Sequence, residues 1–322
     1  MLNFMKFILV TKLAKNRVTN QIYKPNEVRI AQSSVSKKEW FNIIESKDLL
    51  RYYDDRTDKC NNVLLICGGG IGDIIAYSAL CKYLSERGIN VHFATQRKYF
   101  DVLKWFKAPV RILDVNGVLF NDFSMQNRIS KYKNWRRIKT EMIIPKNNHM
   151  DWFEVIFAYS CVDEIDVNYL RPQLISKRLT KIKSNIDKGT KTLLICNQSS
   201  CMMRNIEFNE LYRAIPENVK KEYIIYAYTN NLSEADELKQ FKGDYDSVNF
   251  VNAPTLSDFL NDLYDATDVI TVDSSAVHFR EGINKRCLAL FNSFDKKIRT
   301  EHYKYIIAAN VKSECNKQPC FK

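Results

Sequence analysis

Two short clusters of reactive residues, about two hundred positions apart, are where this chain could do chemistry. In Gly68-Gly69-Gly70-Ile71-Gly72-Asp73 a carboxylate rides on a glycine-rich turn. In Asp273-Ser274-Ser275-Ala276-Val277-His278 a carboxylate, two hydroxyls and an imidazole fall within a single turn of chain. A carboxylate can take a proton from an attacking hydroxyl. Serine hydroxyls and backbone N–H groups can bond phosphate oxygens, and an imidazole can add a proton or a hydrogen bond. Proton abstraction beside a bound phosphate is the chemistry these types allow.

The elements that would position them are readable. Asn62-Val63-Leu64-Leu65-Ile66-Cys67 is a short apolar run of the kind buried in a parallel sheet, and Ile74 to Arg87 carries apolar residues at helical spacing until Gly88 stops it. A strand, a glycine turn and a helix bring backbone N–H groups and the positive helix end to one point, at the strand edge where open α/β sheets take their ligands. The dinucleotide fingerprint is broken, because Asp73 stands where its third glycine belongs and the next strand, Val91 to Thr95, runs into Gln96 and Arg97 instead of an acid. A phosphate-gripping P-loop would need Lys-Ser or Lys-Thr where Asp73-Ile74 stands. Asp73 is then a base, or it simply caps its helix.

The second cluster closes the strand Asp268 to Val272 and leads into a helix at Phe279 to Ile283 and a strand at Cys287 to Phe291. Asp273 either orients a ribose hydroxyl or braces its turn. A lone histidine among apolar neighbours is commonly a structural group, so His278 has a bland reading as well.

Taken as a pair, the two motifs resemble the lipopolysaccharide heptosyltransferases, glycosyltransferase family nine. The likeness spans roughly residues 61 to 322 and is dense near 63–95 and 254–292. It implies an α/β chain of GT-B architecture, with two Rossmann-like domains facing a central cleft and direct, inverting, metal-independent sugar transfer. It implies Asp73 as the catalytic base, on an acceptor-side turn with Gly69, Gly70 and Gly72. Ser274, Ser275 and His278 would hold the donor's diphosphate, with Asp273 beside them in the donor-binding set. Asn197-Gln198-Ser199-Ser200 with Arg204, after the strand Thr192 to Cys196, looks like the family's small-residue turn with a downstream cation, so Ser199 and Arg204 join the donor set. Pro254 to Phe259 resembles the opening of the base-contacting helix. The chain departs from the family at Ser275, at Arg280 and Glu281, at Asn284-Lys285-Arg286 and at Asn292, changes expected to line the donor pocket and to alter the nucleotide sugar.

The implied partners are a nucleotide-sugar donor, consumed as substrate, and an acceptor; no cofactor and no metal are expected. Four histidines and nine scattered cysteines form no zinc spacing, and cysteines set in apolar runs, such as Cys67, Cys196 and Cys287, read as reduced core residues of a cytoplasmic protein. No run reaches the ~18 apolar residues of a membrane span. Met1 to Val10 is apolar, but Thr11-Lys12-Leu13-Ala14-Lys15 follows without a cleavage site, which leaves peripheral contact at the inner membrane face open.

The domain reading is an N-terminal extension at 1–60, an acceptor domain at 61–175, a lysine-rich linker at 176–191 and a donor domain at 192–322. The net charge of +12 is spread over the chain, and its densest stretch lies in the acceptor domain, where Lys131, Lys133, Arg136 and Arg137 interleave with Tyr132 and Trp135. Such a segment is a solvated helix face or a seat for a polyanionic acceptor. Two acceptors fit it: a phosphorylated glycolipid of the lipopolysaccharide type, or DNA carrying a hydroxymethylated base, as modified by viral enzymes of GT-B architecture in a host cytoplasm. A sugar-nucleotide or nucleic-acid binding protein without activity is the third reading.

Overall fold

A computed structural model describes residues 62–67, 69–114, 153, 156, 166–177, 184–187, 189–228, 245, 247–293 and 295–311, and the backbone of strands at 6–10, 14–15, 22–23, 28–31, 50–52 and 136–139. Within it the chain forms two compact α/β units. The first comprises Met1–Gly69, Tyr77–Leu103 and Ala108–Leu170; the second comprises Gly70–Ala76, Lys104–Lys107 and Arg171–Lys322.

In the first unit, β1 (Lys6–Val10), β4 (Val28–Ala31) and β5 (Leu50–Tyr52) make an antiparallel sheet in the order β4-β1-β5, and β2 (Ala14–Lys15) pairs with β3 (Ile22–Tyr23). The larger sheet is parallel: β6 (Asn62–Ile66), β7 (Asn90–Thr95), β8 (Arg111–Asp114) and β9 (Arg136–Lys139), in the order β8-β7-β6-β9. Val63, Leu64 and Leu65 are fully buried, as a central parallel strand requires. Helix α1 (Ile71–Glu86) follows β6 and is buried without a break from Ile74 to Cys81. It ends at Gly88, whose φ of 72° lies in the left-handed region that a side chain disfavours. Short α2 (Phe100–Leu103) follows β7. Arg136 and Arg137 lie in β9, beside Val63 and Leu64, so this part of the basic stretch is strand and not a helix face. Lys131 and Lys133 fall outside the described residues.

The second unit is built on six parallel strands: β10 (Thr192–Cys196), β11 (Ile224–Tyr228), β12 (Val248–Val251), β13 (Asp268–Val272), β14 (Cys287–Phe291) and β15 (Ile306–Asn310). Their order, β12-β11-β10-β13-β14-β15, is that of a Rossmann fold, and it reverses direction between β10 and β13. Helices α3 (Phe208–Ala214) and α4 (Glu217–Glu222) join β10 to β11, and Phe208, Leu211 and Tyr212 pack on Leu193, Ile195 and Ile225. Each such enclosed side chain contributes roughly 2 kcal/mol of apolar burial. Helix α5 (Leu256–Asp265) opens with a capping box: Asp258 N–H donates to the Thr255 hydroxyl, and Thr255 N–H donates to the Asp258 carboxylate. Helix α6 (Ser275–Gly282) joins β13 to β14, with Val277 against Ala289 and Phe291, and short α7 (Lys297–Thr300) follows β14. Trp105, only 1% exposed, wedges edge-on against Phe279 at 5.0 Å.

Helix α6 starts four residues before the sequence pattern suggests, because Ser274 caps it: its hydroxyl accepts from Ala276 N–H at 3.2 Å. The same helix carries two residues expected to line a donor pocket, and neither does. Arg280 is fully buried and donates to the carbonyls of Leu263, Ala266, Thr267 and Arg286, at the C-terminal end of α5 and the entries to β13 and β14. That is the edge of the sheet opposite to the motif loops. Glu281, also fully buried, pairs with Arg171 at 3.1 Å and accepts the N–H groups of Lys304 and Tyr305. Both charges serve the framework.

Candidate active site

The strand reversal between β10 and β13 leaves a crevice at their C-terminal ends, and the loops that leave those ends carry the donor-side residues read from the sequence. The loop after β10 is stiff. Ser199 N–H donates to Asn205 Oδ1 at 2.7 Å, the Ser199 hydroxyl donates to Cys201 O at 2.8 Å, and Asn197 and Ile206 bond reciprocally across its base. Ser293, beyond β14, holds it from the side by donating to Met203 O at 3.0 Å. The loop's product is a fixed Arg204.

Arg204 meets the loop after β13 twice. Its Nη1 lies 3.5 Å from the Asp273 carboxylate and donates to the Asp273 carbonyl at 3.3 Å. Asp273 is 2% exposed, so its carboxylate braces the arginine. One residue on, the Ser274 hydroxyl caps α6 and lies 2.9 Å from Thr271 Oγ1. Ser275, half-buried, begins the helix, so the positive end of α6 faces the same crevice.

His278 lies one turn into α6, 2% exposed, with Nδ1 2.6 Å from the Tyr303 hydroxyl. Burial lowers its pKa to about 3, and Arg299 and Arg204 push the same way, so the imidazole is neutral. It can offer a hydrogen bond and no charge. Nδ1 and the Tyr303 hydroxyl share one hydrogen bond, and the opposite edge of the ring, Cδ2 and Nε2, faces Gly72. A Cβ built on Gly72 would come within 3.0 Å of Cδ2 and 3.6 Å of Nε2.

Gly72 belongs to the glycine turn, so the two motifs meet. Gly69 is half-buried at the start of that turn, Gly70 is exposed, and Gly68 lies outside the described residues. Asp73, on the first turn of α1, accepts the Gly70 N–H at 2.6 Å. Its carboxylate thus caps its own helix from the third helical position, reaching back as in half of a capping box. Capping and chemistry are compatible, because this bond uses one oxygen. Burial raises the Asp73 pKa; the Gly70 N–H, Arg299 and Arg204 lower it, and Asp273 raises it again. A carboxylate with a raised pKa is a stronger base.

Those influences reveal a residue that the sequence motifs miss. Arg299 of α7 is 6% exposed and sits close enough to Asp73, Asp273, Arg204 and His278 for each to feel its charge. In sequence it stands in a run of similar residues, Lys296-Lys297-Ile298-Arg299, where nothing but burial singles it out. Tyr303, which orients His278, is missed for the same reason. Among the described residues no group of three or more His, Cys, Asp or Glu could hold a metal ion, and no helix is long and apolar enough to cross a membrane.

A pair of Rossmann-like units with their motif loops at the strand ends defines the GT-B fold. The heptosyltransferases have it. The chain superposes on Escherichia coli ADP-heptose lipopolysaccharide heptosyltransferase II with a TM-score of 0.57, at 11% identity over 80% of this chain and 95% of that one. A glycosyl transferase of family 9 from Veillonella parvula gives 0.57 at 9% identity, over 78% and 86%. The E. coli heptosyltransferase WaaC with ADP-2-deoxy-2-fluoro heptose gives 0.51 at 12% identity, over 77% and 92%. No protein-family model and no curated protein matches the chain by sequence.

Proposed function

We propose that this protein is a glycosyltransferase that moves a sugar from a nucleoside-diphosphate donor to a hydroxyl of a polyanionic acceptor, with inversion and without a metal. The observation that carries the reading is that the glycine turn bearing Asp73 packs on the start of α6, where a Cβ on Gly72 would stand 3.7 Å from Ser275 Cα and 3.0 Å from His278 Cδ2, while Arg204 pairs with Asp273 in the loop just before that helix. A base and an anion site are thereby adjacent, as direct displacement requires. Asp73 takes the acceptor proton as the oxygen attacks the anomeric carbon, while Arg204 and the positive end of α6 stabilise the departing diphosphate. With Tyr303 donating to Nδ1, neutral His278 adds a hydrogen bond from Nε2. Guanidinium charge thus stands where other transferases use a divalent cation.

The similarity of fold to WaaC, solved with an ADP-heptose analogue, supports a nucleotide-sugar donor. A phosphorylated saccharide of the lipopolysaccharide type is the acceptor we favour, since the structural neighbours include a lipopolysaccharide heptosyltransferase and the net charge of +12 suits phosphates.

The test is release of nucleoside diphosphate from a panel of nucleotide sugars, with phosphorylated core saccharide or hydroxymethylated DNA as acceptor, with and without EDTA. Release that needs the saccharide, survives EDTA and disappears in Asp73→Asn supports the proposal. Dependence on the DNA would move the acceptor to nucleic acid. Donor binding without turnover on either acceptor would make the protein a binder.

A further inference from the structure

The guanidiniums of Arg280 and Arg299 are both enclosed in the second unit, and their surroundings differ in kind. Arg280 has four carbonyl oxygens as acceptors, a framework role. Arg299 is instead buried in the helix that follows the C-terminal end of β14, on the side of the sheet where the motif loops lie, within electrostatic range of two carboxylates and a second arginine. Its position is fixed. Helix α7 leaves the C-terminal side of β14, and Tyr303, one turn past Arg299, is tied to His278, which lies against Gly72. Holding two like charges close together inside a protein is unfavourable unless anions balance them. Here Asp73 and Asp273 supply that balance at rest.

We infer that Arg299 is a second cation of the active centre, shared between the base Asp73 and the leaving diphosphate; the inference rests on the glycosyltransferase reading above. The charge balance gives the reason. At rest Asp73 and Asp273 oppose Arg204 and Arg299, and His278 is neutral, so the cluster has no net charge. In the transfer the acceptor O–H breaks and its proton goes to Asp73. The oxygen bonds to the anomeric carbon, and the bond from that carbon to the diphosphate oxygen breaks with its electron pair on the diphosphate. The cluster thereby becomes net positive by one at the moment the leaving group gains one negative charge. Without Arg299 it would begin net negative and end neutral, repelling the donor it must bind.

The experiment is calorimetric binding of ADP, UDP, GDP, CDP and inorganic pyrophosphate to the full chain, with melting curves, for wild type, Arg299→Gln and Arg299→Lys. Loss of one charge-assisted phosphate contact predicts about 10- to 100-fold weaker binding of the preferred diphosphate in Arg299→Gln. Arg299→Lys keeps the charge and loses the fork, so it should fall between the two. With turnover established, the acid limb of kcat/KM in Arg299→Gln should move to higher pH, because Asp73 loses a cation while Asp273, Arg204, His278 and Tyr303 remain around it.

A folded Arg299→Gln that binds diphosphate like wild type, or a lower melting temperature as the sole change, overturns the inference. If Arg299→Gln does not fold, wild-type affinity in Arg299→Lys overturns it equally. Wild type that binds none of these probes refutes it as well. Diphosphate binding that depends on Arg299, in a protein that transfers no sugar, would sink the transferase reading and leave the cation site standing.

Discussion

Gly72 and His278, two hundred residues apart in sequence, face each other so closely that a methyl group on the glycine would stand 3.0 Å from the imidazole Cδ2. The ring cannot retreat freely, because its Nδ1 is held by Tyr303 at 2.6 Å and it is enclosed on its helix. Gly72→Ala should therefore cost about 1–3 kcal/mol, the range for overpacking, and displace the imidazole. Urea unfolding of Gly72→Ala and Gly72→Ala/Tyr303→Phe checks this. The second change frees the ring, so it should recover part of the loss; additive losses would show that the two residues are not coupled.

Asp73 pits stability against chemistry. Burial raises its pKa, so the protonated form stabilises the folded chain. That stabilisation is complete below the ordinary carboxylate pKa and is lost as pH rises through the raised value. At neutral pH the ionised carboxylate is a cost that a neutral amide avoids. Asp73→Asn should melt at a higher temperature than wild type at pH 7, and the gap should close as the pH is lowered. Transfer should fall by about 10²- to 10⁴-fold, as for loss of a general base. A less stable Asp73→Asn at pH 7 would contradict the burial account.

His278 is a source of acid lability. Its folded pKa of about 3 lies below the ordinary 6.5, so its stabilisation is intact above pH 6.5 and is lost as the pH falls toward 3, where the unfolded chain takes a proton that the folded chain refuses. The slope from one such group is about 1.4 kcal/mol per pH unit. His278→Gln should flatten the pH dependence of unfolding in that window. An unchanged slope would place the acid sensitivity elsewhere.

Arg171 and Glu281 form a buried pair whose members need each other. Removing the carboxylate leaves a guanidinium with 11% side-chain exposure and two backbone N–H groups without their acceptor. Glu281→Ala should cost about 3–5 kcal/mol, and a double-mutant cycle with Arg171→Met should show coupling above about 1 kcal/mol. Chemical unfolding measures both. Coupling near zero would make the pair incidental.

Much of the frame was legible in the chain. Thr192–Cys196, Asp268–Val272 and Cys287–Phe291 are strands at the boundaries that their apolar runs mark. Such runs have one stable use, burial on both faces of a parallel sheet between polar turns. The turns carrying Asp73 and Asp273 follow from the same pattern. Helix starts were less legible. Helices α1 and α6 begin before their apolar periodicity does, because Asp73 and Ser274 each accept an N–H at the helix start.

Residue type and local order thus determined the elements, the fold class and the two motifs, since hydrophobic periodicity and turn chemistry act over short stretches. Tertiary structure alone decided which charges matter. Arg280, Glu281 and Arg299 are alike in sequence as charged residues near a motif, yet the first two pin the framework and the third is buried within electrostatic range of Asp73 and Asp273. The strand at Arg136–Lys139 likewise exists because β6 offers it a parallel partner over seventy residues away. Burial and long-range pairing are properties of the assembled fold, and a charged residue's role depends on them.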